Sequence, residues 1–212
     1  MKNEKTNRVN EVLRLPLAAE FERDIRAALS GAGEAGVVVL AFLDLDNFLK
    51  VNECFGFAAG DEVMIQTGEY LRQNLPEGAG LYRYGGDQFA ALFQAGLEKE
   101  DVLLRMEELR RGFSVKTPDG AAQTLSIGIS AAPEDGERAE ELIRKADSAL
   151  FRGKAMGKNR VCLAREEKMV TKTSHYTADQ LQRLTKVSKR EGMGEAILLR
   201  EALDALLKKY DA

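Results

Sequence analysis

Long hydrophobic runs, cysteine and histidine are what this sequence has least of, and each shortage narrows what the protein can be. The apolar run Val37–Leu43 falls far short of the roughly 20 residues a membrane-spanning helix needs. Met1–Asn10 is polar and lacks the apolar centre of a signal peptide, so the expectation is a cytoplasmic protein with no membrane partner. The two cysteines, Cys54 and Cys162, lie far apart without metal-ligand spacing and sit among apolar neighbours, which reads as reduced core thiols. The one histidine, His175, reads as a surface residue rather than a ligand. A large excess of one charge is missing too. The net formal charge is −3; residues 171–212 carry 8 Lys/Arg against 6 Asp/Glu, or +2, which leaves −5 elsewhere. That neither directs the chain to nucleic acid nor argues against it.

What is present is an ordinary globular balance, 44% hydrophobic and 31% charged over 212 residues, enough for one domain and a small module. Leu17, Phe21, Ile25 and Leu29 recur every four residues, predicting a helix over 16–29 that Gly31, Gly33 and Gly36 end. Val37–Leu43 is continuously apolar, the pattern of a strand buried on both faces, ending on Asp44 and Asp46. A helix over 47–54, a turn through Gly56 and Gly60, and a helix over 61–74 follow. Residues 80–84 and 89–93 then form a hairpin closed by Gly85-Gly86. A helix over 98–111, a strand over 124–130, a helix over 137–154 and a short strand over 160–163 complete an α/β sandwich with a mixed central sheet flanked by helices.

Asp44 and Asp46 at a strand's carboxyl end, with Asp87 in a Gly-Gly turn, are candidate ligands for a hard divalent cation and a phosphoryl-transfer site. Spacing alone favours the plainer alternative, in which the first two cap the next helix and the third fills the turn.

The ordered set changes that. Asp44-Leu-Asp46-Asn-Phe48, Asn52, Gly60-Asp61, Arg83-Tyr-Gly-Gly-Asp-Gln-Phe89, Ser126-Ile-Gly-Ile129 and Lys154-Ala-Met-Gly-Lys-Asn-Arg160 together resemble the GGDEF (diguanylate cyclase) family over about 130 residues. The resemblance implies a palm-like nucleotidyl-cyclase fold in which two domains, each holding GTP, meet to make cyclic di-GMP. It makes Asp44 and the Leu45 carbonyl, with Asp87, ligands of Mg²⁺ when a nucleotide triphosphate binds. It assigns Asn52 and Asp61 to the guanine edge, which suits the donors and acceptors of an amide and a carboxylate. Lys154 and Lys158 meet phosphates, the latter a Lys where the family usually has Arg, so charge is kept but the bidentate fork is lost.

The departures fall on reaction positions. Gln88 replaces the second signature acid, so a negative charge is lost. Leu49 stands where the family usually carries Lys, and Lys50, one step or about 100° around the helix, points elsewhere. Phe57 replaces the usual His beside the nucleotide. Leu15-Pro16 survives, but Leu17 and Ala18 replace Asn-Arg. Pro76 and Ala79 occupy the Arg and Asp positions of the product-inhibition motif. Since one preorganised electrostatic group is worth roughly 10²–10³ in rate, these losses remove useful turnover while leaving base recognition in place.

From about residue 170 the chain resembles a ribbon–helix–helix module of the MetJ, Arc and CopG type. Val170–Tyr176 is the candidate strand, Thr177-Ala-Asp-Gln180 a capping box, and Leu181, Leu184 and Val187 one helix face. Gly192-Met193-Gly194 breaks that helix before Leu199, Leu203, Leu206 and Tyr210 line a second. So small a unit cannot bury a core alone and calls for a partner chain. The resemblance aims Thr171, Thr173 and His175 at DNA bases and sets the backbone around Gly194 on a phosphate. Dimerisation without DNA, with Lys186, Lys189 and Arg190 as a solvated face, remains the alternative.

The division expected is thus 1–35, an N-terminal segment and helix; 36–165, a degenerate GGDEF domain; and 166–212, a dimerising, DNA-binding module. The function expected is a homodimeric DNA-binding regulator that senses GTP or cyclic di-GMP with little or no cyclase activity. An active diguanylate cyclase, paired through its C-terminal helices, is the alternative.

Overall fold

A computed structural model describes residues 7–32, 36–94, 96–165, 173–191 and 194–210. The chain divides into two compact units, 1–166 and 167–212. The first is built on a five-stranded sheet in the order β2-β3-β1-β4-β5. Its strands are β1 (Val38–Leu45), β2 (Gly80–Gly85), β3 (Gln88–Gln94), β4 (Leu125–Ala132) and β5 (Val161–Leu163). All pairings are antiparallel except the parallel β4–β5 edge. Helices α1 (Asn7–Leu13), α2 (Ala18–Gly31), α3 (Phe48–Phe55), α4 (Phe57–Asn74), α5 (Lys99–Gly112) and α6 (Ala139–Ala155) complete it.

The continuous apolar run of β1 is explained by burial on both faces. Val39, Ala41, Leu43 and Leu45 join Phe89, Phe93, Ile127 and Ile129 in one core, together with residues of α1, α4 and α5. Val38, Leu40 and Phe42 point the other way, into a second core with Phe21 and Ile25 of α2 and Leu142 and Ala146 of α6. Strand periodicity therefore places the side chain of Asp44 on the α2–α6 side.

Two close approaches position the site. At Gly128 a Cβ would stand 2.2 Å from the Ala146 carbonyl oxygen, so only glycine lets α6 lie this close to β4. Gly60, expected in a turn, lies inside α4, where a Cβ would stand 1.9 Å from Asn52 Oδ1. Helix α4 thus begins at Phe57 rather than at Asp61, and its glycine serves contact with α3, not a bend.

Other boundaries also move. Helix α2 starts at Ala18 because Pro16 is drawn to the sheet, its carbonyl accepting from Arg83 N–H at 2.8 Å, while Leu17 N–H donates to Glu20 Oε2. Polar α1 was not expected; Val9 and Leu13 make it adhere, with Leu13 packed over Gly68 of α4. Cys54 is exposed and Cys162 half-buried, so neither is the core thiol anticipated: on α3 only Val51 is buried, and Phe55 beside Cys54 is itself exposed.

The second unit contains α7 (Ala178–Glu191) and α8 (Glu195–Tyr210). The capping box forms as expected: Thr177 N–H donates to Gln180 Oε1 at 3.0 Å and Gln180 N–H to Thr177 Oγ1 at 3.2 Å. Thr185 Oγ1 donates to Glu195 Oε1 at 2.6 Å, tying the two helices together. The expected strand 170–176 falls partly outside the described residues; its described part, Thr173–Tyr176, is not strand in the single chain. An extended segment without a pairing partner leaves its ladder hydrogen bonds to water. No residue of described side-chain environment in this unit is buried, and Leu181, Leu203, Leu206, Leu207 and Tyr210 are exposed.

Candidate functional site

β1 runs two residues further than the apolar pattern suggests, through Leu45, and this fixes the site. Asp44 sits on the ladder itself, opposite Gln88 of β3 and opposite Ser126 of β4. Directly opposed side chains share a face, so an acid here has an amide and a hydroxyl for cross-strand neighbours. Gly85 and Gly86 turn the β2–β3 hairpin with φ of 155° and 49°, and a bulge between Arg83 and Gly85 sets the register. Asp87 follows in the turn, its carbonyl reached by Leu45 N–H at 3.4 Å.

The last turn of α6 brings Lys154 to the strand end, where its ammonium donates to Asp44 Oδ1. Burial, then the charge of Asp87, push the Asp44 carboxyl up to about 7, with Lys154 pulling the other way. A lone buried carboxylate resists ionisation, and this one is held between a like charge and a counter-ion.

Asp46 has a different part. It is 2% exposed and accepts from Ser126 Oγ at 2.7 Å, Thr124 Oγ1 at 2.8 Å and Asn159 N–H at 2.9 Å. Its carboxylate is spent on latching the 157–159 loop to the end of β1. That loop needs the latch, since Gly157, Lys158 and Asn159 all have positive φ. Lys158 Nζ then donates to Asn47 Oδ1 at 2.6 Å, and Asn159 Oδ1 accepts from Arg110 at 2.7 Å.

Asn52 of α3 and Asp61 of α4 are half-buried, and Gly60, beside Asp61 in sequence, packs against Asn52 Oδ1. Phe57 is 56% exposed and Leu49 68% exposed, so neither is held in the core. Arg83, to which sequence reasoning gave no task, is buried at 7% exposure, with its guanidinium 5.5 Å from the centre of the Phe89 ring. Burial draws its pKa below the usual range while Asp87 and Asp61 counteract this, which places its charge within reach of both carboxylates. Its Nε has no hydrogen-bond partner among the described residues.

The donor set is thin for magnesium, which prefers near-octahedral oxygen coordination from carboxylates and phosphates. Asp46 is committed to hydrogen bonds, Asp44 carries Lys154, and position 88 offers a neutral amide. Among the described residues no three His, Cys, Asp or Glu side chains converge as a metal site. These residues do not make a preassembled magnesium centre.

Of the C-terminal candidates, Thr171 lies outside the described residues, Thr173 and His175 are exposed, and Gly194 precedes α8, its carbonyl accepting from Leu198 N–H at 3.2 Å. No helix among the described residues is long and apolar enough to cross a membrane.

Comparison with known proteins bears on the first unit. The model of the diguanylate cyclase GGDEF domain matches residues 14–160. The diguanylate cyclase DgcP of Pseudomonas aeruginosa is 36% identical over 135 residues, 62% of this chain and 20% of that protein. The cyclic di-GMP phosphodiesterase NbdA of the same organism is 30% identical over 147 residues, 68% of this chain and 19% of that protein. The chain spans about a fifth of the length of these relatives. Among solved structures, the GGDEF domain of TpbB from P. aeruginosa superposes with a TM-score of 0.68 at 30% identity, covering 73% of this chain and 99% of that one. DgcB from Caulobacter crescentus, its coiled coil and GGDEF domain in complex with c-di-GMP, gives 0.65 at 27% identity, covering 73% and 84%.

Proposed function

The chain belongs to the GGDEF diguanylate cyclase family, and on that premise we propose that it is a cytoplasmic regulator whose GGDEF domain binds a guanine nucleotide, GTP or cyclic di-GMP, with little or no cyclase activity. The observation that carries this reading is the contrast between two halves of one site. Asn52 and Asp61, which the family resemblance assigns to the base, are retained and half-buried, with Gly60 packed against Asn52 Oδ1. The reaction end pairs Asp44 with Gln88 across the ladder and loads Lys154 onto Asp44. Family cyclases use Mg²⁺, for which the resemblance assigns Asp44, the Leu45 carbonyl and Asp87; here Lys154 stands on the first of them.

For the C-terminal unit the proposal is dimerisation and DNA binding. A capped two-helix hairpin with exposed leucines suits pairing with a second copy, and Thr171, Thr173, His175 and Gly194 would be the residues offered to DNA. The second reading, an active cyclase dimerised through these helices, is favoured by the retention of Asp44, Asp87, Asn52, Asp61 and Lys154.

Incubation with GTP and magnesium at high protein concentration separates the two: the proposal expects a nucleotide-induced rise in melting temperature and no cyclic dinucleotide. For DNA, fluorescence anisotropy with duplex fragments should show binding that weakens steeply with salt and disappears when residues 167–212 are removed. Binding indifferent to salt and to that truncation rejects the DNA assignment.

A further inference from the structure

We infer that the nucleotide site works without a divalent cation, with Lys154 supplying at Asp44 the positive charge that a metal supplies in the family's cyclases. This rests on the nucleotide-binding reading above and specifies it.

Four observations converge. Asp44 has no acidic cross-strand neighbour, since the ladder sets it against Gln88 and Ser126. The nearby carboxylate of Asp46 is closed by three hydrogen-bond donors from Ser126, Thr124 and Asn159. Lys154 is an ion-pair partner of Asp44 rather than a free side chain, with the pair 29% and 13% exposed. The α6 backbone behind it is pressed onto β4 at Gly128, so the ammonium is delivered by a rigid element.

Charge balance then separates this site from one that needs a metal. With Gln at position 88, Asp44 keeps Lys154 as its ion-pair partner, and the like charges near it are those of Asp87 and Asp46. An acid at position 88 would add a further negative charge directly across the ladder from Asp44 and so favour binding of a cation there. Losing that acid removes both a ligand and the excess charge a ligand set must carry. A metal entering the site as it stands must first displace Lys154 and then bind beside a neutral amide. A phosphate entering it meets Lys154 directly, with Lys158, now on the exposed Asn47 side chain, free to swing from one oxygen to another.

The test is equilibrium binding of GDP and of GTP to the full chain, each in excess EDTA and in excess magnesium. The expected dissociation constants agree within about threefold between the two buffers. Weakening by about tenfold or more in EDTA overturns the inference alone, absence of GDP and GTP binding in both buffers overturns it too, and if cyclic di-GMP also fails to bind the nucleotide reading falls with it. Two variants report on the cause. Lys154→Met should lose about tenfold or more in affinity in EDTA, and Gln88→Glu should acquire a magnesium dependence of similar size. A Gln88→Glu chain as indifferent to magnesium as the parent overturns the charge argument, and circular dichroism confirms that each variant is folded.

Discussion

Asp44 and Gln88 are direct partners across the antiparallel β1–β3 ladder. One is a carboxyl raised to about 7 by burial and by Asp87; the other is an amide that cannot share its charge. Much of what the site can do follows from that pair.

The first consequence is a pH dependence of stability. Because the folded-state pKa of Asp44 lies above its ordinary 3.8, its contribution is most favourable below that value. It is lost as pH rises toward about 7, where the buried group ionises. In EDTA, Asp44→Asn should flatten the fall in melting temperature between pH 5 and 8, and be more stable than the parent at pH 8 by about 1–3 kcal/mol. Thermal unfolding across that range checks it; an unchanged slope contradicts it.

Gly60 should separate binding from stability. A Cβ there strikes the movable end of Asn52, 1.9 Å away, while alanine is the better helix former by about 1 kcal/mol. Gly60→Ala should therefore change the melting temperature little yet weaken guanine-nucleotide binding about tenfold or more, read by calorimetric titration.

Asp46 should behave in the opposite way to Asp44. Asp46→Ala strands two hydroxyls and the Asn159 N–H, and releases a loop with three positive φ angles. The expected loss is roughly 3 kcal/mol in denaturant unfolding, together with loss of nucleotide affinity. A neutral outcome would mean that the latch is dispensable.

The C-terminal hairpin should need company. With Leu203, Leu206, Leu207 and Tyr210 exposed on α8, the full chain should self-associate in sedimentation equilibrium, while residues 1–166 alone remain monomeric. Equal masses relative to each chain would remove the dimerisation assignment.

Much of this was legible in the sequence, and for identifiable reasons. The strand over 37–43, the Gly-Gly hairpin and the amphipathic helices announce themselves by periodicity and turn chemistry. The Thr177–Gln180 cap is a local hydrogen-bond pattern readable from four residues. What could not be read depends on contacts between distant segments. Gly60 looks like a turn former until α3 is beside it, and Asp46 looks like a metal ligand until Ser126, Thr124 and Asn159 close around it. Asp44 looks like a residue beyond the strand until β3 and β4 extend the ladder past it. Arg83 entered only as the first residue of the hairpin motif, because its importance lies in being buried within electrostatic reach of Asp87 and Asp61.

Equilibrium dialysis of labelled GTP against the full chain in magnesium buffer, followed by chromatography of both chambers, tests the central claim most directly. The account predicts an excess of intact GTP, or of labelled cyclic di-GMP in a parallel run, on the protein side, and no conversion of GTP to cyclic di-GMP. Equal distribution of both nucleotides between the chambers, or conversion of GTP to cyclic di-GMP, would contradict it.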